Sequence, residues 1–470
     1  MKLYNTSTGR KETFTPIEPG KVRLYACGPT VYDYIHVGNA RPIIVFDVLR
    51  RYMEFRGFAV DFVQNFTDID DKIIDRANRE GVTGEALSKR FIAEYFTDAH
   101  GLGVRDATVH PKATENIEGM IGAVQALIDK GFAYAVDGDV YFRTAEFAEY
   151  GKLSGQPLDD LKAGARVGAN TKKESPLDFV LWKAAKPDEP FWASPWGDGR
   201  PGWHIECTVM ANRYLGKTVD IHCGGRDLVF PHHENEVAQS EALNGCKFAN
   251  FWMHNGFLSI DNKKMSKSLG NFFTVRDAAT AYGYDTIRMF MLMSHYRSPL
   301  NYSGEILTQA KNGLERLYTA VDNLEFLAEN GAKDALSAEE LTFVERLPAY
   351  RTRFIEVMDD DFNTADGVAV IFELVRDVNT LIAEIKTPTR EFASAILQAI
   401  EELAGVLGLF YARGEKTTGL DAQVEALIEA RQQARAAKNW AEADRIRDEL
   451  KAMGIVLEDT PQGVKAVVAR

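Results

Sequence analysis

Two short strings carry side chains able to handle phosphate. His36-Val37-Gly38-Asn39 combines an imidazole, a glycine and a side-chain amide. It stands between an alternating stretch at 22–26, broken by Gly28-Pro29, and a stretch at 39–56 with apolar residues at helical spacing (Ile43, Phe46, Leu49, Met53). That places it at a helix start, where free backbone N–H groups and the positive dipole end suit an anion. Gly38 lets the backbone come close to a ligand, and His36 and Asn39 can donate hydrogen bonds. A helix cap and a turn would use the same residues, so the string alone decides nothing. Lys264-Met265-Ser266-Lys267-Ser268 follows a polar turn and precedes Gly270. Two lysines and two hydroxyls on such a loop can fold over a triphosphate, binding best as charge builds on leaving pyrophosphate. A solvated basic loop is the plain alternative. Together, in this order, the two strings read as an ATP clamp that activates a small carboxylic acid.

A third group suits a metal. Pro231 opens an expected helix that ends near Asn244-Gly245, and on it His232 and Glu236 are four apart, sharing one face. Cys27 ends the first strand and Cys207 lies far along the chain. Imidazole, carboxylate and two thiolates make a zinc donor set. His233 and Cys223 are rival ligands by spacing, and Cys27 and Cys207 serve equally well as buried core residues.

The elements that must position these groups begin as strand, helix and strand (22–26, 39–56, 58–63), the opening of a parallel sheet with its site at the strand C-termini. Past Pro111 the pattern changes: a helix near 114–130, then a hairpin at 133–142 turning on Asp137-Gly138, then an irregular stretch rich in Gly, Lys and Pro. Residues 111–199 therefore read as an insertion, after which strand and helix resume. From Glu305 the chain reads as all helical, with Leu314, Leu317, Val321 and Leu324 on one face. A linker at 413–419 leads to two helices that break near Asn439, and to a strand-like tail. The 470 residues allow three or four domains. The start is polar and no apolar run could span a bilayer, which predicts a cytoplasmic protein. Four cysteines do not make a disulfide framework. A net charge of −13 confines any RNA contact to a local basic face.

The two loops resemble the His-Ile-Gly-His and Lys-Met-Ser-Lys-Ser motifs of class I aminoacyl-tRNA synthetases. Along nearly its whole length the chain resembles the cysteinyl-tRNA synthetase family, on Tyr25-Ala26-Cys27-Gly28-Pro29-Thr30-Val31-Tyr32-Asp33, Asn65-Phe66-Thr67-Asp68-Ile69-Asp70-Asp71-Lys72, Gly202-Trp203-His204-Ile205-Glu206-Cys207, Phe230-Pro231-His232-His233-Glu234-Asn235-Glu236 and Asp361-Phe362-Asn363-Thr364. The resemblance implies an α/β fold: a Rossmann-like catalytic domain in two halves (1–110 and 200–260) around a connective insertion (111–199), a stem-contact region with the second loop (261–304), a helical bundle (305–412) and an anticodon-binding domain (420–470). It also implies that Cys27, Cys207, His232 and Glu236 hold one zinc to which the substrate thiol binds. Gly28, Thr67, Trp203 and Asp227 match residues of the amino-acid pocket, with Asp227 a partner for the ammonium, and His204 matches a further active-site histidine.

Zinc fits the task. Cysteine and serine differ little in shape, and a pocket sensing only size cannot supply a preference of about ten-thousand-fold. A zinc ion takes a thiolate readily and a neutral hydroxyl poorly. No editing domain is therefore expected. The implied chemistry is attack of the L-cysteine carboxylate on the α-phosphate of ATP, then transfer of the cysteinyl group to the terminal adenosine of tRNA(Cys). Lys267 is the foremost catalytic candidate, with Lys264, His36 and Asn39 beside it and Gly38, Ser266 and Ser268 completing the ATP site; Mg2+ arrives with ATP. Arg431, Arg435 and Lys438 share one helical side, with Arg445 and Lys451 on the next helix, as candidate tRNA contacts. A monomer without an obligate protein partner is expected. Two departures stand out: Asn39 replaces the second histidine of the first motif, and Ala466 stands where relatives commonly carry Trp. Two rival readings are a ligase joining cysteine to an amino sugar, as in mycothiol synthesis, and a non-catalytic tRNA-binding paralogue.

Overall fold

A strand, helix and strand at the start of the chain, with strand and helix resuming after the insertion, call for a parallel sheet whose strands are joined by helices. The computed structural model describes residues 1–155, 172–261, 263–264, 273–333, 335–385, 387–413, 422–460 and 463–468. They fall into two units: Met1–Thr308 with Val357–Thr364, and Gln309–Glu356 with Ala365–Arg470. The division differs from the expected boundary at 305, because residues 357–364 pack with the first unit. Asp361 alone accepts the Tyr4 N–H at 2.7 Å and the Tyr296 hydroxyl at 3.0 Å there.

The first unit opens with a hairpin, β1 (Lys2–Asn5) and β2 (Arg10–Thr13), followed by β3 (Lys21–Ala26), α1 (Val37–Phe55) and β4 (Ala59–Gln64). Helices α2 (Asp71–Glu80), α3 (Gly84–Gly101) and α4 (Ile117–Asp129) come next. The insertion holds more order than its composition suggests. Strands β5 (Ala133–Val136), β6 (Asp139–Phe142), β7 (Phe179–Ala184) and β8 (Gly199–Pro201) form one antiparallel sheet in that order. The β5–β6 turn is the expected Asp137-Gly138, both at positive φ (49° and 82°), as a two-residue hairpin loop of type I′ requires. Trp182 and Phe142, fully buried with Ile205 and Val209, hold this sheet in a shared core; the Gly- and Pro-rich composition between the strands hid them.

The catalytic core resumes with α5 (Trp203–Leu215), β9 (Val219–Gly225), α6 (Glu234–Asn244) and β10 (Ala249–Asn255). The main sheet runs β10-β9-β3-β4, parallel throughout, with Leu24 of β3 paired to Phe62 of β4 and Ile221 of β9. A small sheet of β11 (Leu258–Ile260) and β12 (Lys263–Lys264) leads to α7 (Val275–Tyr282), α8 (Tyr284–Leu292) and β13 (Leu300–Tyr302), the last pairing parallel with β11.

Helix α9 (Gly304–Asn330) crosses the division between the units. In the second unit stand α10 (Ala338–Val344), α11 (Leu347–Asp359, its last residues counted with the first unit), α12 (Thr364–Glu384) and α13 (Arg390–Val406). Leu314, Leu317, Val321 and Leu324 are buried as their spacing predicts. Ile371, Leu374, Val378 and Leu381 also share one helical side by spacing; the first three are buried, and Leu381, near the end of α12, is half-buried. The final segment forms α14 (Ala422–Ala436), α15 (Trp440–Ala452) and a hairpin of β14 (Ile455–Thr460) and β15 (Gly463–Val468). Its core of Val424, Ile446, Leu450 and Ile455 receives Ala466 against it. An aromatic side chain at 466 would therefore have to be accommodated beside that core, not simply on an open face.

Candidate active site

Each parallel strand delivers a candidate residue at or just beyond its C-terminal end: Cys27 after β3, Thr67 after β4, Asp227 after β9 and Gly256 after β10. The approach of β3 and β4 is close because Gly28 has no side chain; a Cβ there would stand 1.6 Å from the Asn65 carbonyl oxygen. Asn65, fully buried, accepts from the Gly28 N–H (2.9 Å) and the Tyr25 hydroxyl (3.1 Å). Nothing in the sequence pattern marked Asn65; its role exists only where two strand ends meet.

At this edge the four expected ligands converge. Cys27, Cys207, His232 and Glu236 each place a donor atom within 4.8 Å of the others. Cys207 comes from the first turns of α5 and Glu236 from the start of α6, while His232 lies in the wide turn Val229–His233 before it. The two sulfurs are 3.7 Å apart. A tetrahedral ion with zinc–sulfur bonds of about 2.3 Å would set that edge near ~3.8 Å. His232 Nε2 lies 3.0 Å from Glu236 Oε1, yet it is buried with no hydrogen-bond partner among the described residues. Two donor atoms so close without a shared hydrogen bond suit ligands of a common cation. The charges agree. The Cys27 thiol donates to Cys207 and draws its pKa down to about 6. Burial works against ionisation of Glu236, but His222 and His232 hold its carboxyl well below the usual range. Burial would depress His232, but Glu236 and Cys207 bring it up to about 10. Without a metal the site thus sets a thiolate and a carboxylate against one imidazolium out of water; a divalent cation on neutral His232 would displace that proton and neutralise the two anions. The donor set fits zinc.

A second set, Cys27, His222, His233 and Glu236, shares two of these residues. His222 went unnoticed in the sequence, where it is one polar residue in a buried strand. Its Nε2 pairs with Glu236 Oε2 at 2.9 Å, which suits an outer partner that orients a ligating carboxylate. His233, a rival ligand by spacing, sits in a chain of contacts: His254 Nε2 at 2.8 Å from Nδ1 and Cys27 Sγ at 3.3 Å from Nε2. Cys223 belongs to neither set. Its thiol donates to the Tyr25 carbonyl at 3.3 Å, and burial pushes its pKa well up.

The pocket residues distribute unevenly. Trp203 is 40% exposed, and its ring lies 4.1 Å from that of His232. His204 meets His232 nitrogen to nitrogen at 2.8 Å. Asp227 is exposed at the mouth beyond β9. The Thr67 hydroxyl donates to Glu206 at 2.9 Å, so it holds the wall instead of facing outward.

The first loop is the N-terminus of α1. His36 is the N-cap: its Nδ1 accepts from the Asn39 N–H, and Asn39 Oδ1 accepts from the His36 N–H, each at 3.3 Å. Capping is therefore real, and Asn39 suits it because an amide offers the acceptor that the box needs. Gly38 is half-buried in the first turn. The loop is also tied to the far side of the second loop: Val37 N–H donates to the Phe273 carbonyl (3.1 Å) and Val275 N–H to the Ile35 carbonyl (2.9 Å). Of the second loop, Lys264 is described in its backbone, paired with Ser259; Ser266, Lys267 and Ser268 lie outside the described residues.

In the second unit, the expected basic side of α14 is altered. Arg431 is buried (7% exposed) and so is withdrawn from any surface contact. Arg445 pairs with Glu442 (2.7 Å) and Glu449 (2.8 Å) on its own helix.

Comparison with known proteins places this arrangement. Residues 13–312 match the model of the class I (C) tRNA synthetase catalytic domain, 353–411 that of the DALR domain and 417–465 that of the cysteinyl-tRNA ligase anticodon binding domain. A Mycobacterium tuberculosis methionyl-tRNA synthetase has the same fold at a TM-score of 0.59 and 16% identity, covering 82% of this chain and 89% of its own. A putative arginyl-tRNA synthetase of Campylobacter jejuni does so at 0.59 and 12%, over 83% and 93%. The fold and the catalytic-domain match together define a class I aminoacyl-tRNA synthetase. The cysteine–tRNA ligase of Caldicellulosiruptor saccharolyticus is 57% identical over 466 residues, and that of Clostridioides difficile 56% over 465, each covering 99% of both chains. The chain belongs to the cysteine–tRNA ligase family.

Proposed function

We propose that the chain activates L-cysteine with ATP, forming cysteinyl-adenylate and pyrophosphate, and transfers cysteine to the 3′ terminal adenosine of tRNA(Cys). The observation that carries this reading is the convergence of Cys27, Cys207, His232 and Glu236 on the same sheet edge that the His36–Asn39 helix start serves. Zinc held by those four residues supplies a Lewis acid that favours a thiolate over a hydroxyl. Gly28 and Asn65 keep the strand ends close, and Asp227 offers a carboxylate for the substrate ammonium at the mouth. Trp203, against His232, walls a space suited to a small side chain. Capping occupies His36 Nδ1 and Asn39 Oδ1, so phosphate contacts fall to His36 Nε2, the Asn39 amide nitrogen and the backbone at Gly38. Lys264, Ser266, Lys267 and Ser268 close over the triphosphate, with Lys267 stabilising charge on the leaving pyrophosphate and Mg2+ accompanying ATP. Catalysis is positioning plus charge stabilisation, without a covalent enzyme intermediate.

The protein acts as a cytoplasmic monomer in this reading. No helix among the described residues is long and apolar enough to cross a membrane. Cysteine-dependent ATP–pyrophosphate exchange followed by charging of tRNA tests the whole. Exchange without charging would favour the amino-sugar ligase, and no exchange would favour a non-catalytic paralogue.

A further inference from the structure

Arg41 is fully buried, two residues past the first loop, and it has no carboxylate partner among the described residues. Its guanidinium donates to four backbone carbonyls. Nη1 reaches Gly256 (2.9 Å) and Phe257 (3.0 Å); Nη2 reaches His295 (3.2 Å) and Ser298 (2.6 Å). Those acceptors come from two stretches that bracket the second loop in sequence, one entering β11 and one entering β13. They can crowd together because position 256 is glycine: a Cβ there would stand 2.5 Å from the Ser298 carbonyl oxygen and 2.6 Å from that of Arg297. The Gly256 N–H also donates to the Tyr296 carbonyl at 2.8 Å.

The contrast with Arg288 is instructive. That guanidinium is equally buried but meets Asp47 at 2.6 Å, an ordinary way to settle an internal charge. Burial alone pulls Arg41 down, to about 10, with nothing opposing it. A neutral side chain would avoid that cost if packing were all the site required. What Arg41 adds is a planar fork whose two ends satisfy separate acceptors, which a lysine cannot reproduce. The first loop already bonds to residues 273–275 on the downstream side of the second loop. Arg41 supplies the tie on the upstream side, at Gly256 and Phe257, and joins it to a downstream stretch at His295 and Ser298.

We propose that Arg41 is a positioning residue for the adenylation step: by gripping the carbonyls of Gly256, Phe257, His295 and Ser298, it holds the entries of the paired strands β11 and β13 in register with the His36–Asn39 helix start. Its guanidinium bonds backbone carbonyls and none of the four zinc-ligand candidates, so its effect should appear in the nucleotide step alone. The inference rests on the activity proposed above.

The test compares Arg41→Lys and Gly256→Ala with the unaltered full-length protein. Gly256→Ala leaves Arg41 in place but drives its acceptors apart, and so serves if the lysine variant fails to fold. Zinc content, cysteine KM, and ATP KM and kcat in cysteine-dependent exchange are measured for each. A misplacement of about 1 Å can cost about 10²-fold, so we expect kcat to fall on that scale, with zinc content and cysteine KM within about twofold of the unaltered protein. Unchanged kcat in either folded variant overturns the proposal. So does a parallel loss of zinc, cysteine binding and kcat, which would mark Arg41 as a plain packing residue. Absence of exchange in the unaltered protein would instead sink the activity itself, a separate failure visible before any variant is made.

Discussion

Cys27, Cys207, His232 and Glu236 come from three separate stretches and meet in a site where all but Cys27 are buried; His36 to Asn39 are successive residues at a half-buried helix start. The two ends of the site face different physical problems. Telling a thiol from a hydroxyl needs donor atoms fixed to a few tenths of an ångström, and only a packed core gives that precision. His222 and His233, each in contact with a ligand of the cluster, add a second layer that holds it. Phosphate is large and multiply charged, and a helix start with a basic loop tolerates some play. On the side proposed for phosphate, the described contacts are backbone ties at Val37 and Val275 and the carbonyls gripped by Arg41.

The comparison can be broken first at the metal. Cys207→Ala should lose zinc, measured by metal analysis, and all cysteine-dependent exchange, whereas Cys223→Ala should keep its metal because that thiol bonds the Tyr25 carbonyl. Zinc loss in Cys223→Ala would mean the ligand set is misassigned. Stripping the metal with a chelator should erase a preference for cysteine over serine of about ten-thousand-fold, read as the ratio of exchange rates; a surviving preference would move selectivity to the pocket walls. At the phosphate end, Lys267→Ala should lower kcat of exchange by about 10²–10³ while cysteine binding changes little. Equal losses in both would merge the two ends into one.

The smallest effect lies outside both. Asp71, at the start of α2, meets Lys183 (2.7 Å) and Arg200 from the insertion sheet. Burial raises its pKa, but Lys183 and Arg200 outweigh it and bring it to about 2. The folded value lies below the ordinary value of about 3.9, so the stabilisation is full above pH ~4 and fades as pH falls towards 2. With half of Asp71 exposed, its worth is at most about 1 kcal/mol. Thermal midpoints of Asp71→Asn should fall slightly below those of the unaltered protein at pH 6 and converge with them near pH 2. A difference that persisted or grew in acid would show that the contact does not depend on this charge.

Much of the site could be read before any coordinates. His36, Gly38 and Asn39 announce a helix start because capping and phosphate binding both draw on local chain geometry, which short strings encode. The hairpin at Asp137-Gly138 was legible for the same reason: positive φ at two successive residues is a local demand. Strands β7 and β8 were not, since each is short and gains its stability from Trp182 and Phe142 packed on α5 residues far away in sequence. Arg431 misled because helical spacing tells which residues share a side but not which side is covered.

The kinds of donor, their order along the chain and the two loops were settled by the residues alone, since chemistry resides in side-chain types and turns in neighbours. Which cysteines and which histidines come within reach of one another was decided by packing. Strand register pairs Ala26 with Cys223 and brings the Cys223 carbonyl to the Cys27 N–H at 3.2 Å, yet turns its thiol to Tyr25. Asn65 likewise has its role only once β3 and β4 lie side by side on about a 5 Å spacing, His222 once β9 meets α6, and Arg41 once α1 packs against the stretches before β11 and β13. Partners so distant in sequence are chosen by the buried core, which no local pattern records.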